Sequence, residues 1–132
     1  MVSFWASWCG FCRRQFPVLD TFQRTVDRDR LEVILVNSRE STRDYRAVRR
    51  ELRRSPVTWT HDGDGAISDT WDVHAVPRLF VIDKHGELAY MQAGYSEQHL
   101  AELVEVVNGL LAEPGPDGPQ PAPVEAGAVP AG

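Results

Sequence analysis

The chain has 132 residues, of which 42% are apolar and 25% are charged. This length and composition indicate one globular domain and exclude a two-domain or wholly disordered protein. The net charge is −5, but residues 1–54 sum to +5 and residues 55–132 to −10. Because a nucleic-acid-binding domain concentrates basic charge without such an acidic counterweight, the charge balance argues against nucleic-acid partners.

The chain carries no sequence signal for a membrane. No apolar run approaches the ~18 residues that a spanning helix requires, and residues 1–8 lack the basic start of a secretion signal. We therefore expect no membrane anchor within this chain.

The first half of the chain predicts two strand–helix units. Residues 1–6 are short, apolar and aromatic, which indicates a buried strand, and a helix is expected from Cys9 to about Arg28. Residues 31–36 predict a second buried strand. A second helix follows, capped by Ser41 or Thr42, and its many arginines are typical of a solvated face.

The second half predicts shorter elements and a final helix. Residues 56–59 indicate an edge strand, residues 66–71 a short helix, and residues 79–82 and 87–91 an antiparallel pair. Ser96 can cap the closing helix. The alternation predicts an α/β fold, with a central mixed sheet flanked by helices on both faces.

The last twenty residues differ in composition from the rest of the chain. They hold six of the nine prolines, with glycine and alanine filling most of the remainder. This composition predicts a disordered tail over 113–132 that follows a folded domain over 1–112.

The two cysteines, Cys9 and Cys12, lie three positions apart. A disulfide across so short a loop restricts the unfolded chain little, so a purely structural role is a poor explanation. The four histidines are scattered and no second cysteine pair exists, which argues against a four-ligand zinc site. At the start of a helix the thiolate of Cys9 is stabilised, so the pair predicts a redox dithiol with Cys9 as nucleophile and Cys12 as resolving thiol.

The segment that carries this pair, residues 4–17 (FWASWCGFCRRQFP), resembles the active-site segment of thioredoxin-fold reductants of the TlpA/ResA-like group. The resemblance extends over roughly residues 1–111. It implies a thioredoxin-like fold and a thiol–disulfide oxidoreductase that needs no cofactor beyond the Cys9–Cys12 disulfide. It also implies protein disulfide or dithiol substrates and an upstream protein reductant.

The resemblance implies a substrate-binding region around the dithiol. Val76-Pro77 lies where thioredoxin-like proteins carry a cis-proline, beside which a substrate polypeptide pairs as an added strand. The expected substrate-binding residues are Trp8, Gly10, Phe11, Val76 and Pro77. The group is mostly extracytoplasmic, and in bacteria it commonly keeps the haem-binding cysteines of cytochrome c reduced.

The chain departs from the family pattern in three places. Gln15 stands where the group has an acidic residue, and Ser3 stands where thioredoxins have a buried aspartate. Because both candidate proton acceptors are neutral, we expect slower resolution by Cys12 or another acceptor such as water. The third departure is length, since the family has additional strand structure before the first strand here, which predicts an N-terminally short sheet.

Other conspicuous residues have simpler interpretations. Trp5 is expected in the core and Trp8 in the groove beside Cys9, and the remaining tryptophans are assigned to packing. Residues 62–65 (DGDG) predict a tight turn, because the closing glutamate of a calcium loop is missing. His74 could carry protons to the site, but a surface histidine is favoured.

Two alternatives to the oxidoreductase stay open at this point. The cysteine pair could hold a soft metal such as copper(I) or zinc, although no third ligand is obvious. The chain could also be a redox-inert, truncated thioredoxin-like remnant.

Overall fold

The computed structural model describes residues 1–114 of the chain, and these residues contain five strands and four helices. The strands are β1 (Val2–Trp5), β2 (Ile34–Ser38), β3 (Thr58–Asp62), β4 (Arg78–Ile82) and β5 (Leu88–Ala93), and the helices are α1 (Gly10–Thr25), α2 (Thr42–Glu51), α3 (Ala66–Thr70) and α4 (Glu97–Ala112). Most of the predicted tail, from residue 115 onward, lies outside the described residues.

The strands form one mixed sheet in the order β3-β2-β1-β4-β5. The first three strands are parallel, β4 is antiparallel to β1, and β5 is antiparallel to β4. The predicted α/β class and central mixed sheet are confirmed. The edge strand begins at Thr58 rather than Pro56, because its pairing with β2 starts where the N–H of Thr58 donates to the carbonyl of Val33. This topology brings the carboxyl ends of β1 and β2 to the same edge of the sheet.

Helices cover the two faces of the sheet unequally. Side chains of α1, α2 and α4 join the larger core cluster on one face, whereas α3 lies by a smaller cluster on the other. Alternation along β1 explains the division, since Trp5 belongs to the first cluster and Phe4 to the second. The prediction of helices on both faces is confirmed, with only five residues of helix on the second face.

Trp5 is the centre of the larger cluster. It is fully buried, and its ring packs edge-on against Phe16 and Trp59, with centroids 5.2 and 5.6 Å away. In the smaller cluster Trp71 packs against Phe80 with centroids 5.0 Å apart. The predicted packing roles of these tryptophans are confirmed.

The predicted helix caps are present. The Ser41 hydroxyl accepts the N–H of Asp44 at 3.2 Å, and the Ser96 hydroxyl accepts that of His99 at 3.1 Å. Helix α1 ends at Thr25, three residues before the expected end, because Val26 adopts extended backbone angles. The side chain of Gln23 donates to the carbonyls of Val26 and Leu31 and so holds the chain as it turns toward β2.

Candidate active site

Cys9 and Cys12 lie where β1 leads into α1, and they form a disulfide. Cys9 is the N-cap of α1, with extended backbone angles of φ −86° and ψ 106°. Its Sγ atom accepts the backbone N–H of Cys12 at 3.1 Å. The Cys9 sulfur therefore occupies the position where unpaired helix N–H groups and the helix dipole favour a negative charge.

The surroundings of the two sulfurs differ in exposure. Cys9 is 5% exposed and Cys12 is fully buried, so the pair meets solvent only through Cys9. Beside this small opening, Trp8 is 75% and Phe11 55% exposed, which is unusual for aromatic side chains of this size. A β-carbon placed at Gly10 would meet no atom within 4 Å, so the space beside the backbone between the two cysteines is open.

A half-buried carboxylate that the sequence pattern did not reveal holds the turn before Cys9. Glu40 accepts the Ser7 backbone N–H and hydroxyl, each at 2.5 Å, and the Asn37 side-chain amide at 2.7 Å. Its backbone carbonyl accepts the Nε2–H of His61 at 2.7 Å. The sequence points to Glu40 only through its place in the chain. Glu40 follows β2 at the edge of the sheet where β1 also ends.

Arg13 holds the same turn from the other side. Its Nε–H donates to the Ser7 carbonyl at 3.1 Å, and its guanidinium pairs with Glu51 of α2 at 3.1 Å. Because the N–H, hydroxyl and carbonyl of Ser7 are all bonded, the backbone that delivers Trp8 and Cys9 is fixed.

Ser3 and Gln15, the two neutral residues expected at the positions of the family's proton acceptors, contact each other. The Ser3 hydroxyl donates to the Gln15 side-chain carbonyl at 3.2 Å, and both side chains are at most 2% exposed. Gln15 lies one helical turn beyond Cys12 on the buried face of α1. The buried face of α1 one turn beyond Cys12 therefore carries an uncharged hydrogen-bonded pair and no carboxylate.

The remaining predicted site residues lie on the approach to β4. The Val76–Pro77 peptide bond is cis. Val76 packs against the core cluster that contains both cysteines, and Pro77 is buried. Strand β4 pairs with β1 on the side away from β2. The segment before β4 therefore approaches the dithiol from that side.

Two charged or titratable residues noted in the sequence, His74 and Asp62, lie in different environments. His74 is exposed and its Nε2 lies 2.6 Å from Asp72, which agrees with a surface histidine. Asp62 is buried and accepts the hydroxyl and N–H of Ser68 together with the N–H of Ile67. Burial opposes ionisation of Asp62, but these hydrogen bonds outweigh it and hold the pKa of Asp62 below its usual range. Residues 62–65 therefore lead into α3, as the turn prediction requires.

Residues 1–114 contain neither a cluster of metal ligands nor a membrane-spanning helix. Within them, no three cysteine, histidine or carboxylate side chains gather in a group able to hold a metal ion. No helix of this part is both long and apolar enough to cross a membrane.

The comparisons with known proteins agree with this geometry. The family model described as Redoxin matches residues 1–109. The chain belongs to the Redoxin family. YkuV, a thiol–disulfide oxidoreductase of Bacillus subtilis (strain 168), is 30% identical over 117 residues, which cover 86% of this chain and 77% of YkuV. This Redoxin chain spans about half the length of several other curated relatives.

Solved structures show the same fold. A protein described as a thiol:disulfide interchange protein DsbE from Chlorobium tepidum superposes with a TM-score of 0.73 at 27% identity, covering 84% of this chain and 78% of the other. The exposed lipoprotein thioredoxin Etrx1 from Streptococcus pneumoniae superposes with a TM-score of 0.69 at 25% identity, covering 83% and 82%. The predicted TlpA/ResA-like thioredoxin fold and the class of thiol–disulfide oxidoreductase are confirmed.

Proposed function

We propose that this Redoxin-family protein reduces disulfide bonds of protein substrates, with Cys9 as the attacking cysteine and Cys12 as the resolving cysteine. The observation that carries the assignment is the position of Cys9 at the N-terminus of α1, where its Sγ accepts the Cys12 N–H at 3.1 Å. These groups stabilise a thiolate, the form that attacks a disulfide. Cys12 is fully buried, so an external disulfide meets Cys9 first.

The reaction moves two electrons from the dithiol to the substrate. The Cys9 thiolate attacks one substrate sulfur, a bond forms between them, and the second substrate sulfur leaves as a thiolate that takes a proton from solvent. Cys12 then loses its proton and attacks Cys9, which forms the Cys9–Cys12 disulfide and releases the first substrate sulfur. A second protein dithiol reduces this disulfide by the same exchange in reverse.

Five residues around the dithiol are proposed to contact the substrate. Trp8 and Phe11, which flank Cys9 in the chain, offer exposed aromatic surface, and Gly10 leaves open space beside its own backbone. Val76 and Pro77 contribute the backbone next to the site, along which an extended substrate segment can pair as an added strand. Large aromatic side chains are typical of the residues that contribute most of the binding energy at protein interfaces.

We propose an extracytoplasmic place of action, in which the substrates include proteins whose cysteines must stay reduced, such as apocytochromes c. The resemblance to the exposed lipoprotein thioredoxin Etrx1 at 25% identity supports the compartment. Labelling of the dithiol in intact cells with a membrane-impermeant maleimide tests this placement. Labelling only after cell lysis would contradict it.

The direction of electron flow is tested by a redox titration. The purified protein is equilibrated in dithiothreitol or glutathione buffers, and the Cys9–Cys12 pair is followed by thiol trapping. A potential near the ~−270 mV of thioredoxin supports a reductant, whereas a value near ~−120 mV indicates an oxidant. The absence of a reversible couple would overturn the proposal and favour the metal-binding or redox-inert alternatives.

The roles of the two cysteines are tested with single variants. Cys12→Ser is expected to accumulate a mixed disulfide with substrate, because the resolving thiol is missing. Cys9→Ser is expected to form none, because Cys12 is buried. The reverse pattern would exchange the two assignments.

A further inference from the structure

Helix α2 carries a row of arginines on its solvent side. Arg43, Arg46 and Arg50 recur at three- and four-residue spacing, which places them on one face of the helix. All three are exposed, while Val48 on the opposite face is buried in the core. We name these three residues the arginine row.

The arginine row is unpaired within residues 1–114. None of its guanidinium groups lies within 4 Å of a described carboxylate or donates a hydrogen bond to a described residue. Like charges at this spacing repel each other, so the row weakens the helix that carries it. A cost to helix stability without an internal partner points to an external one of opposite charge.

Both ends of α2 are linked to the turn that precedes Cys9, one through Glu40 and the other through the pair of Glu51 with Arg13. At the start of α2, Glu40 adjoins the capping Ser41 and holds the N–H and hydroxyl of Ser7. At the end of α2, Glu51 pairs with Arg13, which also holds the Ser7 carbonyl. The arginine row therefore belongs to the helix that flanks the dithiol turn.

We propose that the arginine row docks an acidic surface of the protein whose disulfide is exchanged at Cys9. The inference rests on the proposed function and specifies its partner class. The exposed rings of Trp8 and Phe11 supply apolar contact at the dithiol, and the row supplies positive charge on the solvent side of the neighbouring helix. Arginine and aromatic residues together are typical of protein–protein interfaces. The helix that carries the row contacts the turn of a centre proposed to act on protein disulfides, so an acidic protein is favoured over a nucleic acid.

The test compares two peptide disulfides of one sequence that differ only in flanking residues, either glutamates or lysines. Electrostatic steering raises association rates, so at low ionic strength we expect kcat/KM to favour the acidic peptide on the order of tenfold. Added salt removes the preference, because it screens exposed charges. Variant R43Q/R46Q/R50Q is expected to lose the preference and to keep its reactivity with dithiothreitol.

A matched control removes three basic charges at the other end of the sheet. In R28Q/R30Q/K84Q the substituted residues lie after α1 and at the turn between β4 and β5. This variant carries the same change in net charge and is expected to keep the preference for the acidic peptide. Thermal unfolding of both variants checks that they are folded.

Binding of a fluorescent acidic peptide without cysteines separates the two proposals. If no peptide disulfide is reduced but this peptide still binds through the row, the proposed function fails and the docking surface stands. Equal kcat/KM for both peptide disulfides, or equal loss of preference in both triple variants, would overturn the docking surface alone. Tighter binding of a DNA duplex than of the acidic peptide would also overturn it.

Discussion

The Glu40 carboxylate accepts both the backbone N–H and the hydroxyl of Ser7, each at 2.5 Å, across 33 positions of sequence. It thereby joins the loop after β2 to the turn that presents Cys9. Charge-assisted hydrogen bonds of this kind are roughly twice as strong as neutral ones, so this contact is a principal restraint on the turn.

A double-mutant cycle measures that restraint. Glu40→Gln and Ser7→Ala are each expected to lower the free energy of unfolding by about 1–3 kcal/mol, because each leaves hydrogen-bonding groups unpaired. Since both changes remove the hydrogen bond between the Ser7 hydroxyl and the Glu40 carboxylate, we expect a coupling energy on the order of 1 kcal/mol from urea unfolding of the double variant. Glu51→Gln, which breaks an exposed ion pair with Arg13, is the control and is expected to cost less than about 1 kcal/mol. Additive effects of the first two changes would contradict the finding.

Gln15→Glu is expected to supply the proton acceptor that the site lacks. A carboxylate one helical turn from Cys12 can accept its proton, so release of a Cys9-linked mixed disulfide becomes faster, as stopped-flow measurement would show. Gln15→Met, similar in volume and unable to accept a proton, is the matched control. Equal rates in the two variants would contradict the expectation.

The same glutamate is expected to make stability depend on pH. Burial raises the pKa of a carboxyl group in the folded state, and position 15 is 2% exposed. Because the pKa is raised in the folded state, the free energy of unfolding of the variant is closest to that of the wild type at acidic pH. Its deficit in unfolding free energy grows as the pH rises from about 4 through the folded pKa. Urea unfolding at several pH values measures this trend, and a deficit independent of pH would contradict it.

Asp62 has the opposite pH dependence. Hydrogen bonds from Ser68 and Ile67 outweigh burial and hold the pKa of Asp62 below its usual range. Its stabilisation is therefore present above the unfolded pKa of about 3.9 and is lost as the pH falls through the folded pKa. We expect Asp62→Asn to reduce stability by about 1–3 kcal/mol at neutral pH and by less in acid. Asp29→Asn, at an exposed site, is the control and is expected to change the free energy of unfolding at neutral pH by less than about 0.5 kcal/mol.

Trp8→Ala and Phe11→Ala are expected to impair substrate binding without harming the fold. Both rings are more than half exposed, so their removal changes the free energy of unfolding by less than about 0.5 kcal/mol. The kcat/KM for a protein disulfide is expected to fall on the order of tenfold, while oxidation and reduction by small thiols stay unchanged. Leu88→Ala removes an equally exposed apolar side chain from β5 and is expected to change neither quantity. A loss of reactivity toward small thiols would instead indicate damage to the dithiol.

Local pattern was sufficient to predict the dithiol and the element that carries it. The apolar strand before Cys9 and the helical spacing after it are contiguous in the chain, so β1 and α1 follow from neighbouring residues. The serine caps of α2 and α4 were predictable for the same reason.

Contacts between distant segments were not predictable in this way. Glu40 reaches Ser7 only because β1 and β2 pair in parallel and end at one edge of the sheet. The position of α2 beside the turn that precedes Cys9 likewise depends on the strand order, which places β2 and not β4 next to β1 on that side. The arginines of α2 are exposed, as the prediction of a solvated face requires, and their distance along the chain from Cys9 gave no sign that this helix contacts the turn before it.

The reversed direction of β4 has a practical use. Because β4 is antiparallel to β1, the turn over residues 83–87 emerges at the end of the sheet remote from Cys9. Gly86 occupies this turn with a positive φ of 80° and open space around it. A tether inserted there would anchor the molecule to a bead or electrode with its reactive sulfur facing outward, so that single exchange events could be followed on an immobilised protein.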